Sequence, residues 1–104
     1  MNTTGTTQAP AELDCTLAMI CPDNSMMNAR LFKGDTVFIR EQSEVDNGTV
    51  VAIMTDKGLV LRRVYLHDEY MELRPENPTF PTASYHQSEV EIIGEAVGFM
   101  STTI

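Results

Sequence analysis

Few side chains in this 104-residue chain can do chemistry by type. There are two thiols (Cys15, Cys21), two histidines (His67, His86), an adjacent guanidinium pair (Arg62, Arg63) and a serine hydroxyl, Ser25, ahead of Met26-Met27. Two thiols and two distant histidines make no zinc pattern, so no metal and no other cofactor is expected. Both cysteines fall in one predicted strand and on the same face, where side chains diverge and a disulfide does not close. Free thiols fit a reducing, cytoplasmic setting. His67 and His86 read as surface residues. Taken alone, Ser25 reads as the cap of a helical turn with Met26 in the core. The seven methionines read as core or interface filler.

The elements that must position these groups are short and separated by turn chemistry. Residues 1–13 are rich in Thr, Ala, Gln and Pro and read as a flexible linker or tail, leaving residues 14–104 as one folded domain. Leu17, Met19 and Cys21 alternate with Ala18 and Ile20 in a first strand that stops at Pro22-Asp23-Asn24. One helical turn fits between Ser25 and Phe32. Lys33-Gly34-Asp35 turns into the apolar run Val37-Phe38-Ile39, and Asp46-Asn47-Gly48 precedes the β-branched run from Thr49 to Met54. Asp56-Lys57-Gly58 then reverses the chain into Leu59–Tyr65, with Glu69–Leu73 as a short partner strand. Pro75, Pro78 and Pro81 mark an irregular stretch, and Val90–Met100 reads as two strand-like pieces around Gly94 and Gly98. No helical periodicity is sustained, so the fold class is mainly β.

Bulk composition narrows the function classes. A hydrophobic content of 42% and a charged content of 21% are those of an ordinary globular domain. The net charge of −8 opposes direct contact with nucleic-acid phosphates. No apolar stretch approaches the roughly 18–20 residues that span a bilayer, and the N-terminus lacks the pattern of a secretory signal. No membrane association is expected.

Five segments, read in order, add what composition cannot. Cys21-Pro22-Asp23-Asn24-Ser25-Met26, Lys33-Gly34-Asp35, Leu61-Arg62-Arg63-Val64, Leu73-Arg74-Pro75-Glu76-Asn77-Pro78 and Ile93-Gly94-Glu95-Ala96-Val97-Gly98 succeed one another along residues 14–100. Each is weak alone. In this order and spacing they resemble the LexA/UmuD family of self-cleaving repressor and mutagenesis-protein domains, to which phage repressors are close. The resemblance implies a small β-domain of twisted antiparallel sheets, a partial barrel with short hairpins and little helix. It also implies a peptidase in which a serine attacks a peptide bond and an uncharged lysine amine takes its proton. Ser25 falls on the nucleophile, with the backbone N–H groups of Asn24 and Ser25 as oxyanion donors.

Arg62 falls on the base. A lysine can be desolvated until its neutral form is accessible near neutral pH, whereas a guanidinium keeps its proton below a pKa above about 12. The peptidase is therefore expected to be inactive or weak, and Arg62→Lys is expected to raise cleavage if the rest of the site is intact. Lys57 is expected in an exposed turn, out of position to substitute. Asp23-Asn24 also replaces the more typical Gly-Asp before the serine, which puts the oxyanion geometry in question. Family members cut an Ala-Gly or Cys-Gly bond upstream of the serine, and no such dipeptide precedes Ser25 here.

The leading expectation is the C-terminal regulatory and dimerisation domain of a LexA-like or phage-type repressor acting in an SOS-type response. The alternatives are an active self-cleaving peptidase using another base, and a UmuD-like polymerase accessory subunit. The resemblance implies a homodimer formed through C-terminal strands, by Val90, Ile92, Ile93, Ala96, Val97 and Phe99. It further implies DNA contact only through an N-terminal domain outside this chain, and a recombinase filament as inducer. Glu76-Asn77-Pro78 is read mainly as turn chemistry.

Overall fold

The structure is a computed structural model and describes residues 14–101. The expected tail at 1–13 and the last three residues lie outside the described part. Seven strands run in chain order: β1 (Leu17–Ile20), β2 (Thr36–Glu41), β3 (Val50–Thr55), β4 (Gly58–His67), β5 (Tyr70–Arg74), β6 (Ala83–His86) and β7 (Glu91–Met100). They form one unclosed antiparallel sheet in the order β1-β2-β7-β3-β4-β5-β6. Helix is confined, among the described residues, to single 3-10 turns at Met27–Ala29 and Gln87–Glu89. The expected mainly-β domain of twisted antiparallel strands is what forms.

Burial explains why β3 reads as an unbroken apolar run. Val51, Ala52 and Ile53 are all fully buried because the curled sheet packs on both faces of this strand. Ala52 joins Val37, Ile39, Leu61, Met26 and Cys21 in one core cluster. Val51 and Ile53 join Val64, Met71 and Leu73 in the other. Fully burying one such aliphatic side chain is worth about 1.5–3 kcal/mol, so the two clusters carry the fold. Asp56 and Lys57 make the two-residue turn between β3 and β4, closed by the Thr55–Gly58 pair. Gly58 there takes a φ of 104°, a conformation that favours glycine.

Two features depart from the sequence expectations. Val90–Met100 is not two pieces but one strand, Glu91–Met100, sandwiched between β3 and β2. Its register slips at Ile93 against β3 and at Val97 against β2, and each extra residue bends the strand so that it can serve both neighbours. Gly94 lies between the slips, where a Cβ would meet the Arg40 carbonyl oxygen at 2.4 Å. The second departure is β6, formed by Ala83-Ser84-Tyr85-His86 on the sheet edge beside β5. These four residues are too few to show a pattern and follow three prolines, so no strand is expected there.

Candidate active site

Ser25 stands on a turn that the backbone holds from both sides. Cys21 N–H donates to the Asp35 carbonyl and Gly34 N–H to the Cys21 carbonyl, which pins the end of β1 against the start of β2. The Asn24 side-chain oxygen accepts from Lys33 N–H at 2.9 Å, and the Asn24 carbonyl accepts from Met27 N–H. Arg30 closes the following 3-10 turn in the left-handed region, at φ 69°. Met26 is fully buried beneath, so the turn is anchored in the first core cluster rather than free on the surface.

The loop after β5 completes the brace. Glu76 N–H donates to the Ser25 carbonyl at 2.8 Å, and Asn28 N–H donates to the Glu76 carbonyl at 2.8 Å. The buried Asn77 amide donates to the Asn24 carbonyl at 2.8 Å, while its oxygen accepts from the N–H and the hydroxyl of Thr79. Asn77 is therefore more than a turn former: it ties two distant loops together beside Ser25. The Glu76-Asn77-Pro78 segment was the signal, but its long-range partner is invisible in a linear reading.

Arg62 comes from β4, opposite Val51 of β3. Successive strand residues point to opposite faces, and the Arg62-Arg63 pair is divided accordingly. Arg62 Nη1 donates to Ser25 Oγ at 2.6 Å and to its neighbouring Leu61 carbonyl at 2.8 Å. Arg63 instead pairs with Glu76 and donates to the Gly48 carbonyl at 2.7 Å. The structure thus brings Ser25 and Arg62 together, and it uses Arg63 to hold the bracing loop.

The polar surroundings of the pair are specific. Ser25 is only 1% exposed, and Arg62 is the sole side-chain partner of its hydroxyl among the described residues. Burial pushes the Arg62 guanidinium below its ordinary pKa, and the negative charge of Asp23 partly restores it. A guanidinium starts so far above neutrality that the group stays protonated at any physiological pH. Burial likewise pushes the Cys21 thiol up. Of the two expected oxyanion donors, Ser25 N–H is already engaged, donating to Asp23 Oδ1 at 3.0 Å.

Arg62 also lines a cleft of about 220 Å³ with Val60, Leu73, Phe80, Pro81 and Ala83 as apolar walls, and Lys57, Thr55 and Tyr85 at its polar end. Lys57 is exposed in the β3–β4 turn, as expected from the sequence. Both cysteines are free, and both lie outside β1, which ends at Ile20, rather than together inside one strand. His67 and His86 pair with Glu72 and Glu69 on β4–β6, away from Ser25. Among the described residues no set of three His, Cys, Asp or Glu side chains converges, and no helix is long and apolar enough to cross a membrane.

The six residues expected at a dimer surface are divided by the fold. Val90 and Ile92 pack on the second core cluster, and Ile93 and Ala96 pack on the first. Val97, at the bulge, and Phe99, 45% exposed, line a shallow groove with Ala29, Leu31 and Val50. Strand β3 pairs with β7 only from Glu91 to Glu95, so residues 96–100 have β2 on one side and no strand on the other among the described residues.

Comparison with known proteins agrees with this geometry. The chain is 40% identical over 81 residues to the LexA repressor of Pediococcus pentosaceus, covering 77% of this chain and 38% of the repressor. It is 37% identical over 82 residues to the LexA repressor of Lactobacillus acidophilus, covering 78% and 38%. With the LexA repressor of Syntrophomonas wolfei the figures are 32% over 77 residues, 74% and 37%. The chain thus spans less than two-fifths of the length of the curated relatives it matches. The Peptidase S24-like family matches residues 5–97, which takes in the Ser25 turn, Arg62 and the bracing loop. On these matches and this fold, the chain belongs to the Peptidase S24-like family.

Proposed function

We propose that the chain is the regulatory and dimerisation domain of a LexA-type or phage-type repressor whose self-cleavage is lost or impaired. The observation that carries the reading is the 2.6 Å contact in which Arg62 donates to Ser25 Oγ. A general base must accept the hydroxyl proton. Here the group at that position is a permanent donor, so the serine oxygen is held as an acceptor and its proton has no recipient. Lys57 is exposed and no other basic group contacts Ser25 among the described residues, which favours this reading over a peptidase with a substitute base.

The relatives are named LexA repressors, and this supports a role in repression rather than as a polymerase accessory subunit. In that role DNA is gripped by a separate N-terminal domain, pairing of two copies through Val97 and Phe99 sets the spacing of two such domains, and a recombinase filament is the inducing partner. The test is incubation of the purified chain with an Ala-Gly peptide between pH about 7 and 10, where a free lysine would deprotonate. No Ser25-dependent product is expected by mass spectrometry. A product that disappears in Ser25→Ala refutes the reading.

A further inference from the structure

We infer that Asp23 is a second block on the nucleophile, occupying the place where the reaction's oxyanion would have to form. The inference rests on the proposed reading of Ser25 and Arg62 as a silenced nucleophile and base. An oxyanion donor serves catalysis only if it is aimed, at about 2.7–3.1 Å, at the oxygen on which negative charge develops. Asp23 Oδ1 lies 3.0 Å from Ser25 N, inside that range. The Asp23 carboxylate therefore takes up the donor in the resting protein. It also puts a negative charge where a second one would arise, and like charges at such a distance repel strongly in a partly buried site.

The charge of Asp23 has a counterpart. Arg62 is half-buried and forms no ion pair among the described residues, whereas Arg40, Arg63 and Arg74 each pair with a glutamate. Asp23 is the largest electrostatic support of the Arg62 charge. The chain of contacts runs from Asp23 Oδ1 to Ser25 N–H, and from Ser25 Oγ to Arg62 Nη1. Asp23 and Arg62 thus compensate each other across the serine. Restoring the base alone, by Arg62→Lys, leaves the oxyanion position filled. Asp23 is a positioning residue in this arrangement, acting on the site through the Ser25 backbone and through charge.

A peptide boronic acid whose terminal residue is the boron analogue of alanine reads the oxyanion position directly. When it binds, a bond forms from Ser25 Oγ to the trigonal boron and the hydroxyl proton passes to the solvent buffer, leaving a tetrahedral boronate that carries the negative charge. Affinity is measured for the unmodified chain, Asp23→Ala, Arg62→Lys and the double variant, each against its Ser25→Ala form as the non-covalent baseline. Asp23 does not have a positive φ, so alanine fits its backbone. Removing Asp23 is expected to raise the Ser25-dependent affinity at least about tenfold, a modest share of what one oxyanion donor supplies. Arg62→Lys alone is expected to leave it unchanged.

Asp23→Asn, which keeps an acceptor for Ser25 N–H and drops the charge, is expected to show a smaller gain and guards against a folding defect in the alanine variant. Equal Ser25-dependent affinity with and without Asp23, whether all the proteins bind or none does, overturns the inference. So does a full gain from Arg62→Lys alone. Cleavage of an Ala-Gly peptide by the unmodified chain would sink the proposed function instead, which keeps the two failures apart.

Discussion

The guanidinium beside Ser25 sets what the pair can exchange. A lysine nitrogen there could take a proton, whereas Arg62 only gives one, and the 2.6 Å contact fixes it in that role. The neighbouring residues explain how the position stays rigid. Asn77 is buried with its amide on the Asn24 carbonyl and its oxygen on the N–H and hydroxyl of Thr79, so Asn77→Ala removes three hydrogen bonds that tie the two loops together. A loss of about 1–3 kcal/mol is expected from urea denaturation. The buried Cys21 thiol makes a second prediction. Its raised pKa means the native state keeps the proton where the unfolded thiol has lost it. This contribution to stability is fully present below the ordinary thiol pKa and is lost as pH rises through the raised native value. Alkaline urea melts of the native chain should therefore fall more steeply with pH than those of Cys21→Ala. Parallel curves would argue against burial as the cause. At this scale the sequence marked Ser25, Arg62 and the unusual Asp23-Asn24 pair. It could not show that Asp23 accepts from the serine N–H or that Asn77 crosses to Asn24, since both depend on how distant loops meet.

Strand β7 shows how an element's sequence is shaped by two neighbours at once. Its bulges at Ile93 and Val97 let the first half pair with β3 and the second with β2. Gly94 permits the crossing, because a Cβ would stand 2.4 Å from the Arg40 carbonyl oxygen and 2.7 Å from Ile39 Cγ2. Backbone atoms cannot yield like a side-chain tip. Gly94→Ala is therefore expected to cost about 1–3 kcal/mol or more, read as a lower midpoint in thermal or urea unfolding; an unchanged midpoint would show that β2 and β7 can separate freely. Strands β2 to β5 were legible from sequence because each carries β-branched or alternating apolar residues between clear turn signals, as in the Asp56-Lys57-Gly58 reversal from β3 into β4. The continuity of β7 was not, because its glycines look like breaks when read without the partners that demand them. Edge strand β6 escaped for a different reason: Ala83 and Tyr85 alternate with Ser84 and His86 over only four residues just past three prolines, and it is pairing with β5 that holds them as a strand.

For the whole molecule, the sheet order explains which part of β7 can meet a second copy. Its first half is enclosed by β3, so the proposed pairing would fall to residues 96–100, where Val97 and the exposed Phe99 border the groove by Leu31 and Val50. Phe99→Asp is expected to shift the chain toward monomer in sedimentation velocity without altering its far-ultraviolet spectrum; an unchanged sedimentation coefficient would move the interface elsewhere. The net charge of −8 opposes direct contact of this chain with nucleic-acid phosphates. On the proposed reading, Ser25 is a nucleophile that does not fire. This is tested most directly by the rate at which Ser25 takes up a neutral fluorophosphonate, followed by intact mass from pH about 7 to 10, the range over which a lysine base would come into play. The account predicts no labelling of the native chain above that of Ser25→Ala at any pH. Labelling that rises with pH and is lost in Ser25→Ala would contradict it.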